Sequence, residues 1–370
     1  MNHNKTKVRV FRNGGFLAAN ERWNLGGDRL EVVPEYRYLG TMFTTKLSFN
    51  LVQTDLTQRA KTSLAQVIRC MRKLQCMSPD VFFKLFDAQV ASILLYSAEI
   101  WGVCDCSIIE SVHLQAMKKY LNLPTKAPNV IIYGECGRYP LYINAVLRSV
   151  KYWMKLLRME SSRHPHLAYA MMLNSGNQQS WASKIKEVLY KFDFPQVWDN
   201  QCVQNERSFM NDLKERLINE YCNYWSQTLQ SSERYSFYKQ FKTSWMKEMH
   251  LSVIDKKIFR DMYIQFRTGF SELFSHRLRY RNINEDNLYI CPSCRETFEC
   301  EIHFLFSCPV YEDLRKKYLS HLYNLSIWSV ADVLGTVDCS EIRSIAIYLY
   351  WAFKRRQEAM SIDFYSADVI

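Results

Sequence analysis

Glycine and proline are scarce in this chain, at 11 and 9 among 370 residues. Because both residues mark tight turns and element ends, their scarcity argues against a turn-rich β fold and favours long helices. The apolar stretch at 90–96 is far too short to cross a membrane. The opening segment, Met1-Asn-His-Asn-Lys-Thr-Lys7, is polar and basic, unlike a secretory signal. These absences predict an intracellular protein of the cytoplasm or nucleus, not secreted and with no membrane partner.

The composition is that of a globular protein with an excess of positive charge. Hydrophobic residues make up 48% of the chain and charged residues 23%, while aromatic residues reach 14%. The net charge of +11 and the many aromatic rings suit a polyanion with stacking bases, that is, RNA or DNA. The alternative is a basic protein that binds nothing in particular. In a reducing compartment the 12 cysteines are expected to be free or metal-bound.

The hydrophobic pattern changes along the chain from strand-like to helical. Alternation at 8–11, 30–33 and 36–43 predicts three short strands in a small antiparallel β unit, too small to bury a core alone. From about residue 48 apolar residues recur at three- and four-residue spacing, which predicts helices. Ser78 and Pro79 are expected as N-cap and first residue of one helix. The predicted fold is mainly α, in five successive segments: 1–46, 47–160, 161–284, 285–325 and 326–370.

A cysteine- and histidine-rich segment follows residue 289. Cys291, Cys294, His303 and Cys308 have the spacing C-x2-C-x8-H-x4-C, two close pairs of soft ligands as in tetrahedral zinc sites. Four protein ligands predict a closed structural Zn²⁺ site with no open position for water. Cys300 is a rival fourth ligand. Cys308 is favoured because an x4 gap lets a short helical turn bring it to His303. The competing interpretation is unrelated buried thiols and a surface histidine.

Residues 234–281 combine positive charge with aromatic rings. They contain eleven Lys or Arg and four Asp or Glu. Many of the rings are expected in the core, since aromatics at helical spacing usually pack against helices. Arg277, Arg279 and Arg281 surround a tyrosine, and guanidinium groups pair with phosphates and stack on bases. These arginines are therefore candidates for nucleic-acid contact, the alternative being a solvated helix end.

Several short motifs, in order along nearly the whole chain, resemble the C-terminal half of a LINE-type (non-LTR) retrotransposon reverse transcriptase. They are Lys5-Thr-Lys7-Val, the Asn-Gly-Gly turn at 13–15, Tyr38-Leu-Gly40, Leu94-Leu-Tyr-Ser-Ala-Glu-Ile-Trp-Gly102, Tyr133-Gly-Glu-Cys-Gly-Arg-Tyr-Pro-Leu141, and the Cys/His segment followed by Cys308-Pro-Val-Tyr311. Each motif is short, but their ordered combination is specific.

The resemblance implies roles for these segments. Lys5 and Lys7 would lie near the incoming nucleotide, and Tyr38, Leu39 and Gly40 would form the primer grip. Residues 1–46 would be the end of the palm, 47–160 the helical thumb, 161–284 a connector and 285–325 a terminal CCHC zinc knuckle. Without the resemblance, Tyr38 and Leu39 would be interpreted as ordinary strand residues.

The catalytic motif of that family is missing. Nucleotidyl transfer uses two metal ions held by carboxylates, and the chain contains no adjacent Asp-Asp pair. The family places that pair before the Lys-Thr-Lys segment, and only four residues precede Lys5 here. The fingers and most of the palm are therefore expected to be absent. The resemblance implies that Mg²⁺ would bind only in a full-length polymerase, and that the missing N-terminal polymerase region would be a partner of this chain.

Three hypotheses follow. The chain is an enzyme fragment whose activity exists only in a longer product, or a stand-alone nucleic-acid-binding module, or a co-opted helical scaffold that binds protein. The expected function is that of a retroelement-derived fragment with residual RNA- or DNA-binding capacity, predicted to be inactive as a polymerase by itself.

Overall fold

The computed structural model describes residues 6–11, 21–44, 49–74, 77–280, 289–320 and 329–367. Over these residues the chain is mainly helical with short strands near its start, as predicted. The α-helices are α1 (Phe49–Lys73), α2 (Pro79–Phe86), α3 (Ser92–Leu94), α4 (Ala98–Trp101), α5 (Ser107–Tyr120), α6 (Asn129–Cys136), α7 (Leu141–Leu157), α8 (His164–Asn174), α9 (Trp181–Lys191), α10 (Pro195–Asp199), α11 (Glu206–Ser231), α12 (His250–Val253), α13 (Lys257–Arg267), α14 (Phe274–Tyr280), α15 (Glu312–Tyr318), α16 (Val330–Gly335) and α17 (Cys339–Ala367). No described helix is both long enough and apolar enough to cross a membrane.

The strands form three separate two-stranded pairs. Their bounds are β1 (Lys7–Val8), β2 (Asn24–Leu25), β3 (Asp28–Arg29), β4 (Glu31–Val32), β5 (Glu35–Tyr38) and β6 (Thr41–Thr44). The pairs β2–β3 and β5–β6 are antiparallel, but β1–β4 is parallel, so the predicted all-antiparallel unit is only partly correct. The single strand predicted over 36–43 is wrong. It folds into the β5–β6 hairpin because Leu39 and Gly40 both adopt positive φ. The predicted turn at 13–15 lies outside the described residues.

Local signals set several helix ends. The Ser78 hydroxyl accepts a hydrogen bond from the Val81 N–H at 3.3 Å, which confirms the predicted N-cap before Pro79. The helical stretch that begins at Pro79 is interrupted before residue 102. A π-helical turn occupies Asp87–Ala91, and Ser97 takes a left-handed conformation with φ 56° before α4 begins. The Trp101 indole then donates to the Tyr96 carbonyl at 3.0 Å, closing the break.

Contacts group the chain into two compact units, each made of three stretches of sequence. Unit 1 comprises residues 1–66, 85–113 and 140–219, and unit 2 comprises 67–84, 114–139 and 220–370. In unit 1, α4 packs closely on α7. A Cβ at Gly102 would lie 2.3 Å from the Ala145 carbonyl oxygen, and the Ser149 hydroxyl donates to the Ala98 carbonyl at 2.8 Å.

Unit 2 is built around the long helix α17. Helices α12, α13 and α15 pack against it, and its residues Ile345, Leu349 and Phe353 are fully buried or nearly so. The same hydrophobic core includes Cys291, Cys308 and other residues of the Cys/His segment. The segment is therefore part of the main core of unit 2.

A buried ionic network lies within unit 2. Glu135 on α6 is fully buried, 3.2 Å from the Arg267 guanidinium and 3.0 Å from His250. Burial alone would raise the pKa of Glu135, but the charge of Arg267 and the contact with His250 hold it below its usual value. Arg267 also pairs with Glu248 at 2.8 Å, and Lys242 pairs with the same Glu248.

Candidate metal centre

The Cys/His segment consists of a tight loop, a helical turn and the extended residue that ends this turn. Side chains from all three converge. An isolated bridge joins Ile290 to Phe298 and closes the first loop. Within that loop the Arg295 N–H donates to the Cys291 carbonyl at 2.9 Å, and Arg295 itself adopts a left-handed φ of 61°. This tight turn places Cys291 and Cys294 side by side.

The second pair of side chains comes from a π-helical turn. The turn spans His303–Ser307, and the Cys308 N–H bonds to the His303 carbonyl at 2.8 Å, which brings residues 303 and 308 together. The expected helical turn across the x4 gap is thus present, in a wider form than an α-helical turn. Cys308 is extended and ends the turn before the short 3₁₀ turn Pro309–Tyr311.

The four predicted ligand atoms converge. The Sγ and ring-nitrogen atoms of Cys291, Cys294, His303 and Cys308 all lie within 4.8 Å of one another. The Cys291 and Cys308 sulfurs are 4.0 Å apart, and the Cys294 sulfur is 3.4 Å from His303 Nε2. Tetrahedral zinc bonded at its usual lengths requires sulfur–sulfur and sulfur–nitrogen separations of roughly 3.8 and 3.6 Å. This Cys₃His group can hold a metal ion.

Cys300 does not belong to this group. It is half-buried, and its sulfur accepts the His303 backbone N–H at 3.5 Å. Of the two thiols that the sequence leaves as alternatives, the structure places Cys308 with the other three ligands.

The histidine ring is oriented by a further hydrogen bond. Its Nδ1 lies 3.0 Å from the Thr297 hydroxyl, while Nε2 faces the thiols. Metal-binding histidines commonly use one ring nitrogen for the metal and bond the other to a fixed partner, which sets the tautomer. Thr297 thus holds His303 with Nε2 available as a ligand.

The two buried thiols are electrostatically coupled. The pKa of Cys291 is lowered to about 4, chiefly by the hydrogen bond from the Cys308 thiol, with further support from backbone N–H groups of Ser293 and Cys294. The pKa of Cys308 is raised, because the Cys291 sulfur accepts its proton and the thiol is buried. Cysteine binds a metal as the thiolate, so a cation at this point would displace the thiol protons.

Hydrogen bonds hold the Cys/His segment to the core of unit 2. Glu299, completely buried, receives two hydrogen bonds from Arg356 of α17, at 2.5 and 2.8 Å, and a third from the Phe274 N–H at 2.9 Å. The Arg315 guanidinium donates to the Cys308 carbonyl at 2.6 Å, and the Tyr348 hydroxyl donates to the Phe304 carbonyl at 2.6 Å. Sequence reasoning missed these partners. The sequence gives no local signal for Arg315 or Arg356, because each lies among other charged residues.

The primer-grip candidates form the exposed turn of the β5–β6 hairpin in unit 1. Tyr38 and Leu39 are 58% and 74% exposed. The Tyr96 hydroxyl donates to the Leu39 carbonyl at 2.5 Å, and Arg59 donates to the Gly40 carbonyl at 3.1 Å, so the turn is held from below.

The other residues predicted to contact nucleic acid are Lys5, Lys7, Arg277, Arg279 and Arg281. Lys7 pairs with Glu31 at 2.5 Å, whereas Lys5 lies outside the described residues. Arg277 is exposed on α14, and Arg279 belongs to the same helix. The Arg279 side chain and all of Arg281 lie outside the described residues.

Much of the positive charge predicted at 234–281 is engaged within unit 2. Arg260 is buried against the Tyr120 ring, with its guanidinium carbon 5.0 Å from the ring centre. The ion pairs of its Lys and Arg residues include Lys239–Glu233, Lys242–Glu248, Lys247–Asp80, Lys257–Asp261, Arg267–Glu135 and Arg267–Glu248. The segment is therefore less basic toward solvent than its composition indicates.

A different group of cations remains exposed in unit 2. The segments 67–84 and 114–139 each contain four Lys or Arg, and together they contain two acidic residues, Asp80 and Glu135. Asp80 pairs with Lys247 at 2.7 Å, and Glu135 is buried in the ionic network. The exposed cations of these segments, here called the basic face, are Arg69, Arg72, Lys73, Lys84, Lys119 and Lys126.

Contacts within the core of unit 2 join the two segments that carry these cations. The Tyr120 hydroxyl donates to the Met77 carbonyl at 3.1 Å, and the Phe82 ring lies 4.8 Å from the Tyr120 ring. Lys73 and Lys119 flank these contacts in the sequence. Sequence reasoning missed the basic face because its residues are dispersed over two segments.

Comparison of the chain with protein-family models, curated proteins and solved structures finds no match.

Proposed function

We propose that this chain is a zinc-stabilised helical protein that binds single-stranded RNA or DNA. The observation that carries the proposal is the basic face, where exposed cations outnumber available carboxylates. Among the described residues no ion pair engages Arg72, Lys73, Lys119 or Lys126. Such unpaired cations can displace the counterions of a phosphate backbone.

Some of these charges also lie in the last turns of helices. Arg72 and Lys73 end α1, and Lys119 lies near the end of α5. Cations there interact favourably with the helix dipole, a contribution of about 0.3–1 kcal/mol each. The dipole accounts for positions at helix ends, but it does not account for Arg69 or Lys126. The positive charge that the helix dipoles do not account for is available to bind a polyanion.

Zinc is the proposed metal, and its proposed role is structural. Three thiolates and one imidazole favour zinc over the hard cations calcium and magnesium, and all four positions are filled by protein. The ligands Cys291 and Cys308 are fully buried in the hydrophobic core that includes α17. A bound ion would therefore stabilise the packing of the Cys/His segment in unit 2.

We further propose, from the ordered motifs, that the chain derives from the C-terminal part of a LINE-type reverse transcriptase. The 370 residues are expected not to polymerise DNA, since they contain no adjacent Asp-Asp pair. A reverse-transcription assay with template, primer and magnesium should show no incorporation above a protein-free control. Clear incorporation would overturn this part of the proposal.

The binding proposal is tested by removing charge from the basic face. A quadruple Gln variant at Arg72, Lys73, Lys119 and Lys126 is compared with the wild type by fluorescence anisotropy with a labelled single-stranded RNA over a range of salt concentrations. Each lost phosphate contact lowers the slope of log affinity against log salt by about 0.7. Loss of four contacts would lower the slope by about 3.

A matched control removes the same charge elsewhere. A quadruple Gln variant at Lys151, Lys155, Arg207 and Lys214 changes four exposed cations of unit 1. It should bind RNA with nearly the wild-type slope. Equal losses in both variants would mean that binding follows net charge and not the basic face. A folded wild-type chain that fails to bind RNA at low salt would refute nucleic-acid binding altogether.

That last outcome would favour the second candidate, a helical scaffold for protein binding. The observation in its favour is α8, whose Leu167 and Met171 are exposed, the latter by 71%. No Lys, Arg, Asp or Glu occurs from residue 164 to residue 183. An exposed, uncharged, methionine-containing helix is typical of protein-interaction surfaces.

A further inference from the structure

A cysteine and a lysine from distant parts of the sequence meet in unit 1. The Lys184 Nζ lies 3.2 Å from the Cys104 Sγ. Cys104 belongs to the loop between α4 and α5, and Lys184 belongs to the first turn of α9. Both side chains are half-buried. This pair is separate from the metal centre and from the basic face.

The backbone holds both partners in place. The Cys104 N–H donates to the Trp101 carbonyl at 2.9 Å, and Trp101 is fully buried. On the other side, the Lys184 N–H donates to the Ser180 carbonyl at 3.1 Å, and the Ser180 hydroxyl caps α9. The contact therefore joins two anchored segments, not two freely moving side chains.

Neighbouring groups are committed to other partners. The Asp105 carboxylate accepts hydrogen bonds from the Ser107 N–H at 3.0 Å and from its hydroxyl at 2.7 Å. The Cys106 thiol is buried and donates to the Cys104 carbonyl at 3.4 Å, and burial raises its pKa to about 12. Among the described residues Lys184 makes no ion pair with a carboxylate. The amine and the Cys104 thiol thus face each other directly.

We propose that Cys104 and Lys184 form an oxidant-sensitive modification site in which one oxygen atom joins Sγ to Nζ. The observed separation is short enough that inserting the oxygen requires only a small approach of the two atoms. The modification would be a covalent N–O–S bridge, and the oxidant would be a peroxide.

The reaction balances in two steps. The Cys104 thiol and one hydrogen peroxide give a sulfenic acid and one water, as sulfur loses two electrons. The sulfenic acid, the neutral Lys184 amine and a second peroxide then give the S–O–N bridge and two waters, as nitrogen loses two electrons. Two equivalents of a dithiol reverse both steps and return the thiol, the amine and one water.

The bridge would act as a reversible covalent cross-link within unit 1. It would link α9 to the loop before α5, across 80 residues of sequence. A covalent link that closes a long loop stabilises the folded state by restricting the unfolded chain. Peroxide should therefore raise the unfolding temperature of unit 1, and a dithiol should lower it again.

The test is peptide mapping of the purified full chain after treatment with hydrogen peroxide. A protease that does not cut at lysine is used under non-reducing conditions. The expected product is a linked pair of peptides containing Cys104 and Lys184, heavier by one oxygen and lighter by two hydrogens, that dithiothreitol separates. The exposed thiols of Cys70, Cys202 and Cys339 are internal controls for general oxidation.

Substitutions make the test specific. Lys184→Gln and Cys104→Ser should each abolish the linked peptides and the peroxide-dependent rise in unfolding temperature. Lys186→Gln, which removes an exposed lysine two residues away, should leave both unchanged. Unfolding curves recorded before oxidation identify any variant that fails to fold. The folded Lys186→Gln variant shows that a lysine substitution in α9 does not by itself prevent formation of the linked peptides.

Three results would overturn the proposal. One is Cys104 found as sulfinic or sulfonic acid with Lys184 unmodified. Another is a disulfide between Cys104 and Cys106. The third is a linked product that persists in the folded Lys184→Gln variant.

Discussion

Replacing Cys294 by serine is the sharpest test of the metal centre. Its sulfur lies 3.4 Å from His303 Nε2, and its side chain is only half-buried. The substitution removes a thiolate ligand without leaving a large cavity in the core. The fully buried Cys291 and Cys308 are less suitable, because changing them also perturbs packing against α17. The wild type is expected to carry about one zinc per chain, and Cys294→Ser almost none.

The size of the effect follows from linkage between metal binding and folding. A metal present at 1,000 times its dissociation constant stabilises the folded state by about 4 kcal/mol. For a unit of 150–250 residues, 1 kcal/mol shifts the unfolding temperature by about 2–4 °C. Loss of zinc is therefore expected to lower the unfolding temperature of unit 2 by about 8–16 °C. Chelator treatment of the wild type should produce the same shift.

Cys300→Ser is the matched control, because it removes a half-buried thiol of the same segment. Its sulfur accepts one backbone N–H and is not among the four convergent ligands. Zinc content by elemental mass spectrometry, and the absorption spectrum after cobalt replacement, should match the wild type. A Cys300→Ser variant without metal, beside a Cys294→Ser variant that keeps it, would refute the ligand assignment. Unchanged zinc in both variants would refute the site itself.

The remaining predictions concern groups that support the metal centre and the core of unit 2. Thr297→Val should weaken metal affinity by about 10–100-fold in a chelator competition, since His303 loses its orienting hydrogen bond. Unchanged affinity would contradict that role. Glu135→Gln should cost about 3–5 kcal/mol in denaturant unfolding, because it leaves Arg267 with an unbalanced buried charge. The lowered pKa of Glu135 stabilises the fold above the pKa of the unfolded carboxyl. That stability is lost as the pH falls through the folded pKa, so Glu135→Gln should flatten the acid limb of the stability profile. A profile parallel to the wild type would exclude this contribution. Gly137→Ala should lower the free energy of unfolding by at least about 2 kcal/mol. The φ of Gly137 is 58°, and a Cβ there would lie 2.2 Å from the backbone nitrogen of Lys247. A smaller loss in the same denaturant measurement would mean that the backbone there yields easily.

The features that the sequence predicts well are those that depend on near neighbours. Ser78 before Pro79 starts a helix because the hydroxyl reaches a backbone N–H only three residues away. The spacing of Cys291 and Cys294 similarly confines both thiols to one tight turn. The mainly helical character follows from apolar spacing and from the scarcity of glycine and proline. None of these inferences requires knowledge of which distant segments meet.

The strand predicted at 36–43 shows where local pattern fails. Alternation of apolar and polar residues is equally compatible with one strand and with two strands joined by a tight turn. The turn at Leu39 is stabilised only in the folded chain. There the Leu39 carbonyl accepts a hydrogen bond from the hydroxyl of Tyr96, 57 positions later in the sequence.

Tertiary structure also decided which charges and which thiols are available. The composition of 234–281 indicates a basic surface, but Arg267 is neutralised by Glu135, which lies 132 positions earlier in the chain. The choice of Cys308 over Cys300 depends on the π-helical turn that directs Cys308 toward Cys291. Residue types and spacings establish what a side chain can bind. Burial and long-range pairing decide whether it is free to do so, because the free energies of desolvation and ion pairing depend on neighbours that only folding brings together.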